Sequence, residues 1–183
     1  MSERTGLSFD VVDTGQIDDM ADNMHQVDIA EINAVMLPSM RDPREVLADA
    51  IASADFAVGG FDAFGRMVMV FGVTPVSLTS DIGRPWLLRH RDAPRFRRAY
   101  VADSSRYIAL MAERYRLLEN YVSAENNESI RWLKRNGFTI EQPLPVGLNG
   151  EMLSRFYRGS TDVCSSVNDR GRGGKRGVDL PTV

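Results

Sequence analysis

The chain predicts an α/β domain, a mixed β-sheet of about seven strands with helices on both faces. Three observations lead there. Short apolar runs such as "FAVGGF" and "RMVMVFGV" alternate along the chain with segments of helical period. Several helices carry legible start and stop residues. The apolar runs are continuous rather than alternating, which requires cover on both faces of the sheet.

The elements follow in order. "LSFDVVD" alternates and ends in Asp-Thr-Gly, which reads as a first strand and turn. Residues 17–36 read as an acidic helix broken near Gln26. A second helix over 43–54 has the best-signalled start: Asp42 as N-cap, Pro43 at the first helical position and Glu45 in the first turn. Val46, Leu47, Ala50, Ile51 and Ala54 form its apolar stripe. "FAVGGF" and "RMVMVFGV" flank "DAFG", whose Asp62 and Gly65 suit a tight turn, so these two strands are expected to be antiparallel neighbours. "RPWLL" reads as a fourth strand, followed by a long helix over 94–118 with Asp92 as its N-cap. "LENYVSA" reads as a fifth strand and "NESIRWLKRNG" as a helix stopped by Gly137. "FTIEQPLPV" and "EMLSRFYR" close the list as strands six and seven, with Gly147, Asn149 and Gly150 in the turn between them.

Residues 1–158 are expected to form this single domain. Residues 159–183 read as a disordered tail rich in Gly, Ser and Arg. Its "STDVCSS" resembles translated sequencing-adapter read-through, which would make the tail non-native; a flexible basic arm is the alternative.

Composition excludes several functions. With 43% hydrophobic and 26% charged residues and no apolar run near the ~20 residues that span a bilayer, no membrane role is expected. The single cysteine, Cys164, has no catalytic company, and His25 and His90 lie far apart, so neither thiol nor metal chemistry is expected. The net charge of −3 hides an asymmetry: residues 1–55 carry twelve Asp/Glu against three Arg, and residues 84–135 carry twelve Lys/Arg against six Asp/Glu. Either the basic part faces an anionic partner or the two parts attract one another across the fold. Nucleic-acid binding through the arginines is not expected from a chain with so acidic a first third.

The element order, with Val122, Asn126, Ser129, Leu133, Gly137 and Phe138, resembles the GNAT (GCN5-related) N-acyltransferase superfamily over residues 7–158. Within it, the wording of "NYV", "NNESIRWL" and "GF", preceded by "SD" and "RPWLL", is similar to acetyltransferase-like proteins of short-tailed bacteriophages, some of them internal virion or assembly proteins. The resemblance implies that two parallel strands splay and expose backbone groups to the amide-bearing arm of acetyl-CoA. The cofactor-binding residues it implies are Leu87, Leu88, Arg89, Arg91, Asn126 and Ser129. For Asn126 and Gly137 plain helix-capping roles stand beside it.

The chain also departs from that pattern. Where the superfamily places pyrophosphate-binding glycines, "RHRDAP" has Asp92 and Pro94: the first brings negative charge and the second lacks an N–H. Arg84, Arg89, Arg91, Arg95, Arg97 and Arg98 crowd the same region and offer side-chain donors instead. The usual leaving-group tyrosine is replaced by Leu133, whose neighbour Trp132 is no usable acid, and no catalytic residue is assigned; His90 and Glu125 are the candidate bases. The expected function is therefore a catalytically degenerate fold serving as a phage internal virion or assembly protein, in the host cytoplasm during infection and in the virion, with other virion proteins as partners. The alternative is an active acetyl-CoA-dependent N-acetyltransferase acting on a small amine or protein amine.

Overall fold

The computed structural model describes residues 6–12 and 14–159. Strand β1 (Ser8–Val11) leads into two helices, α1 (Asp18–Asp22) and α2 (Gln26–Val35), and then α3 (Pro43–Ser53). The predicted break near Gln26 falls at Asn23–His25, where His25 leaves helical geometry and its ring accepts the Val27 N–H. Asp42 caps α3 through the N–H groups of Arg44 and Glu45.

Strands β2 (Phe56–Phe61) and β3 (Met67–Pro75) form the expected antiparallel pair. Asp62 builds their turn by accepting the Phe64 and Arg66 N–H groups, and Gly65 takes the positive φ of 78° that the turn requires. Strand β4 (Ile82–Arg89) follows, and α4 (Arg97–Arg114) begins later than predicted. Asp92 does not cap it: Pro94 sits in a short 3-10 turn, Ala93–Phe96, that precedes the α-helix. The helix ends before Leu117, where β5 (Leu117–Ser123) starts.

Helix α5 (Asn127–Arg135) is capped by Asn126 and stopped at Gly137, whose φ is 81°. The single sixth strand expected from "FTIEQPLPV" is two short ones, β6 (Thr139–Ile140) and β7 (Leu144–Pro145), both paired with β8 (Met152–Gly159). The residues between them leave the sheet, so the described residues form eight strands rather than seven. The sheet runs β1-β2-β3-β4-β5-β8-β6 and is antiparallel except between β4 and β5. The expected tail lies outside the described residues, apart from Gly159 at the end of β8.

Helices cover both faces, as the continuous apolar strands require. On one face α1, α2 and α3 bury Met20, Ile32 and Leu47 against Met67 and Val70. On the other, α4 and α5 bury Ile108, Met111 and Leu133 against Val73, Leu118 and Phe156. Of the two readings of the charge asymmetry, mutual attraction has direct contacts: Asp28 pairs with Arg89, and Asp55 with Arg114 at 2.6 Å. No helix among the described residues is long and apolar enough to cross a membrane.

Candidate functional site

Strands β4 and β5 are bonded only at Ile82–Leu117 and Gly83–Leu118, and beyond these pairs they part. The gap is braced at both ends. At the closed end the Asn120 amide donates to the Pro85 carbonyl at 3.0 Å and its oxygen accepts the Tyr121 N–H at 2.9 Å. At the open end α2 spans the strands with two carboxylates three residues apart. Asp28 accepts from the Arg89 N–H at 2.7 Å and from its guanidinium at 3.1 and 2.5 Å. Glu31 Oε1 accepts from the Ser123 N–H at 3.1 Å and from Asn126 Nδ2 at 2.9 Å. Between the braces lies a largely apolar cleft of about 680 Å³, lined by residues that include Phe71, Trp86, Leu87, Tyr107, Met111 and Trp132.

The backbone in this gap can be accounted for group by group. Arg89 turns its N–H to Asp28 and its carbonyl to the His25 N–H at 2.7 Å, both away from β3. By strand alternation Leu87 and Pro85 face the same way. Pro85 has no N–H and its carbonyl is taken by Asn120. Leu87 therefore presents a complete N–H and C=O pair to the cleft with no strand opposite.

The residues predicted from sequence separate here. Leu87 and Leu88 line the cleft, Leu88 also packing on the α1–α3 face. Arg89 is buried in the pair with Asp28, so its guanidinium is not free for a phosphate. Arg91 is exposed and gives its N–H to the Asn23 carbonyl at 2.8 Å. Asn126 is buried, its oxygen capping the Ser129 N–H at 3.1 Å and its amide committed to Glu31, so both of its roles are internal. Ser129 lines the cleft.

The two predicted bases lie elsewhere. His90 is buried on the α1 side; its Nδ1 accepts the Asp92 N–H at 3.0 Å, and burial with the Arg66 charge holds its pKa below the ordinary value. Glu125 is exposed at the end of β5 and does not line the cleft. Leu133 is core.

Glu31 is a carboxylate that lines the cleft outside any ion pair among the described residues, and sequence reading passed over it. Burial raises its pKa from the ordinary value, against the opposing hydrogen bonds from Asn126 and Ser123. Tyr100, within the long helix predicted over 94–118, also lines the cleft; burial raises its phenol. One signal was available: Asp28 and Glu31 stand three apart, on the same helical face as Ile32 and Val35.

Acyl-CoA requires free donors for its pyrophosphate in the loop that leads into α4, and over residues 90–95 they are spent. The N–H groups of His90, Arg91 and Ala93 go to the carbonyls of Val68, Asn23 and His90 at 2.9, 2.8 and 2.9 Å. Those of Asp92 and Arg95 go to His90 Nδ1 and the Asp92 carbonyl at 3.0 and 3.1 Å, and Pro94 has none. Of the side chains nearby, Arg97 pairs with Glu128 at 3.1 Å, and Arg91, Arg95 and Arg98 are exposed. The cleft suits an amide-bearing chain, but the backbone cradle for its phosphates does not fit.

A mixed sheet opened between two parallel strands, with helices on both faces, defines the acyl-CoA N-acyltransferase fold of the GNAT type, and comparison with solved structures agrees. The chain is similar to spermidine N-acetyltransferase from Vibrio cholerae in complex with CoA and spermine, with TM-score 0.64 and 12% identity over 86% of this chain and 98% of that one. It is also similar to an acetyltransferase of the GNAT family from Streptococcus pneumoniae, with TM-score 0.56 and 13% identity over 84% of this chain and 99% of that one. At such identities the likeness is one of fold. No protein-family model and no curated protein sequence matches the chain.

Two substitutions test the brace. Asp28→Ala leaves Arg89 buried without its partner and is expected to cost about 3–5 kcal/mol in urea denaturation. Adding Arg89→Met should recover part of this, since the Arg89 N–H still lacks its acceptor; a loss below about 1 kcal/mol for the single variant would refute the brace.

Glu31→Gln keeps an oxygen for both donors and removes the charge. A carboxyl whose folded pKa is raised is neutral in both states at low pH. As pH rises the unfolded chain ionises first, so stability falls until the folded group ionises too. The variant should therefore melt above the wild type at pH 7 and level with it near pH 4, a pattern read from melting temperatures at the two pH values.

Proposed function

We propose that this chain is a catalytically silent acetyltransferase fold of a bacteriophage, working as an internal virion or assembly protein whose partners are other virion proteins. One observation carries the silent part: the N–H groups of residues 90–93 and 95 are bonded within the chain, exactly where the fold would otherwise hold the phosphates of acyl-CoA. Leu133, in the place of a leaving-group acid, points the same way. The phage part rests on the likeness of "NYV", "NNESIRWL" and "RPWLL" to proteins of short-tailed phages.

A second reading is an acetyl-CoA-dependent N-acetyltransferase acting on a small amine or protein amine. Glu31 favours it, as a buried carboxylate in the cleft whose pKa burial raises, which makes it a better proton acceptor than a solvated one. The Vibrio cholerae structure holds such an amine, spermine, together with CoA.

Acetyl-CoA separates the two readings. Millimolar acetyl-CoA should leave the melting temperature unchanged, because a ligand stabilises only a fold that binds it. A saturable rise with turnover of an amine would establish the second reading. Mass spectrometry of purified particles of the encoding phage should detect the chain; its absence would remove the virion assignment.

A further inference from the structure

The groove has an open strand edge, a carboxylate outside any ion pair and no backbone cradle for a pyrophosphate. We propose that it docks an extended segment of a partner protein carrying a lysine or arginine, the segment pairing with Leu87 as an added strand and its cation meeting Glu31. This rests on the non-catalytic reading above and names the kind of partner that reading requires.

Three observations support it. First, from the Asn120 brace at Pro85 to the Asp28 brace at Arg89, β4 offers an edge of four residue steps, about 13 Å, with Leu87 at its centre. Its neighbours on that edge are satisfied, so Leu87 gives one N–H and one C=O, the pair that a single residue of an added strand uses. Facing it, the Tyr121 carbonyl is brought to the gap side by the same alternation that turns the Tyr121 N–H to Asn120 and the Ser123 N–H to Glu31.

Second, the charges in the groove do not balance. Arg89 pairs with Asp28 and its charge also reaches Glu31, but one cation stands against these two carboxylates and Glu31 itself forms no ion pair within 4 Å among the described residues. Both bonds to Glu31 reach Oε1, which leaves Oε2 for an incoming donor. A cation delivered into this partly desolvated site forms a charge-assisted bond stronger than one in open water.

Third, most of the remaining lining is apolar and aromatic, with Phe71, Tyr107 and Trp132 among its residues and Asp49 and Arg84 as its further charged members, and its volume of about 680 Å³ is that of a built binding site. A peptide needs only these edge groups, whereas acyl-CoA also needs the spent donors of residues 90–95.

The test is selection from a random heptapeptide display library on the full chain, counter-selected on Glu31→Gln. Enriched peptides should share a lysine or arginine at one position. Binding is then read from tryptophan emission, since the chain's two tryptophans, Trp86 and Trp132, both line the groove.

Replacing the basic residue by norleucine, or using the Glu31→Gln protein, should each weaken binding about tenfold, and the two losses should not add. N-methylation of the peptide backbone at alternate residues should abolish binding. Failure to enrich any peptide, enrichment without a basic position, or equal affinity of the norleucine peptide overturns the inference. A melting shift with acetyl-CoA overturns the non-catalytic reading beneath it; no shift and no enriched peptide overturns the docking proposal alone.

Discussion

Everything distinctive in this molecule follows from two parallel strands that share only two residue pairs. Once β4 and β5 part, their facing edges carry backbone groups that water or protein must satisfy. The chain answers with side chains rather than with a strand: Asn120 at the closed end, Asp28 and Glu31 at the open end. Helix α2 is held to the sheet as much by these polar bonds as by its apolar face, and the cleft exists because the braces stop short of Leu87.

The same accounting explains why the fold and the usual chemistry of its class come apart. A phosphate-binding loop works by leaving N–H groups unbonded and pointed at the anion. Here the segment after β4 turns inward: it forms an isolated bridge between Met24 and His90, and the His90 ring caps the next turn. Proline at 94 costs nothing in such a turn, and Asp92 is free to pair with Arg66 at 3.0 Å. The substitutions that remove the cradle are the ones that let the loop close on itself.

Much of the fold was legible because its signals are local. The Asp42 cap with Pro43, the Asp62–Gly65 turn and the Asn126–Gly137 helix are read from neighbouring residues, and each stands where the sequence placed it. Pro85 was a signal of another kind: a proline in a strand bordered on both sides removes a ladder donor, and it is tolerated here because that edge faces a gap. What escaped the sequence were partnerships at long range. Arg89 reads as a free phosphate ligand until α2 is folded onto it, and Asn126 as a cofactor donor until Glu31 takes its amide. His90 stands out as a base by residue type and Glu125 by its place at the end of the fifth strand, and neither property says which side of the sheet a side chain reaches. The late start of α4 was missed because Pro94 and Asp92 are as compatible with an α-helical start as with a 3-10 turn.

The α2 brace also bears on how the chain folds. Its bonds join residues 61, 92 and 95 positions apart, whereas the β2–β3 hairpin closes over a few. Contacts that close such long loops recover their entropic cost only after the segments between them are ordered. The strand pairs on either side of the gap close shorter loops than α2 does, which places the mouth of the cleft among the contacts of highest closure cost in the fold.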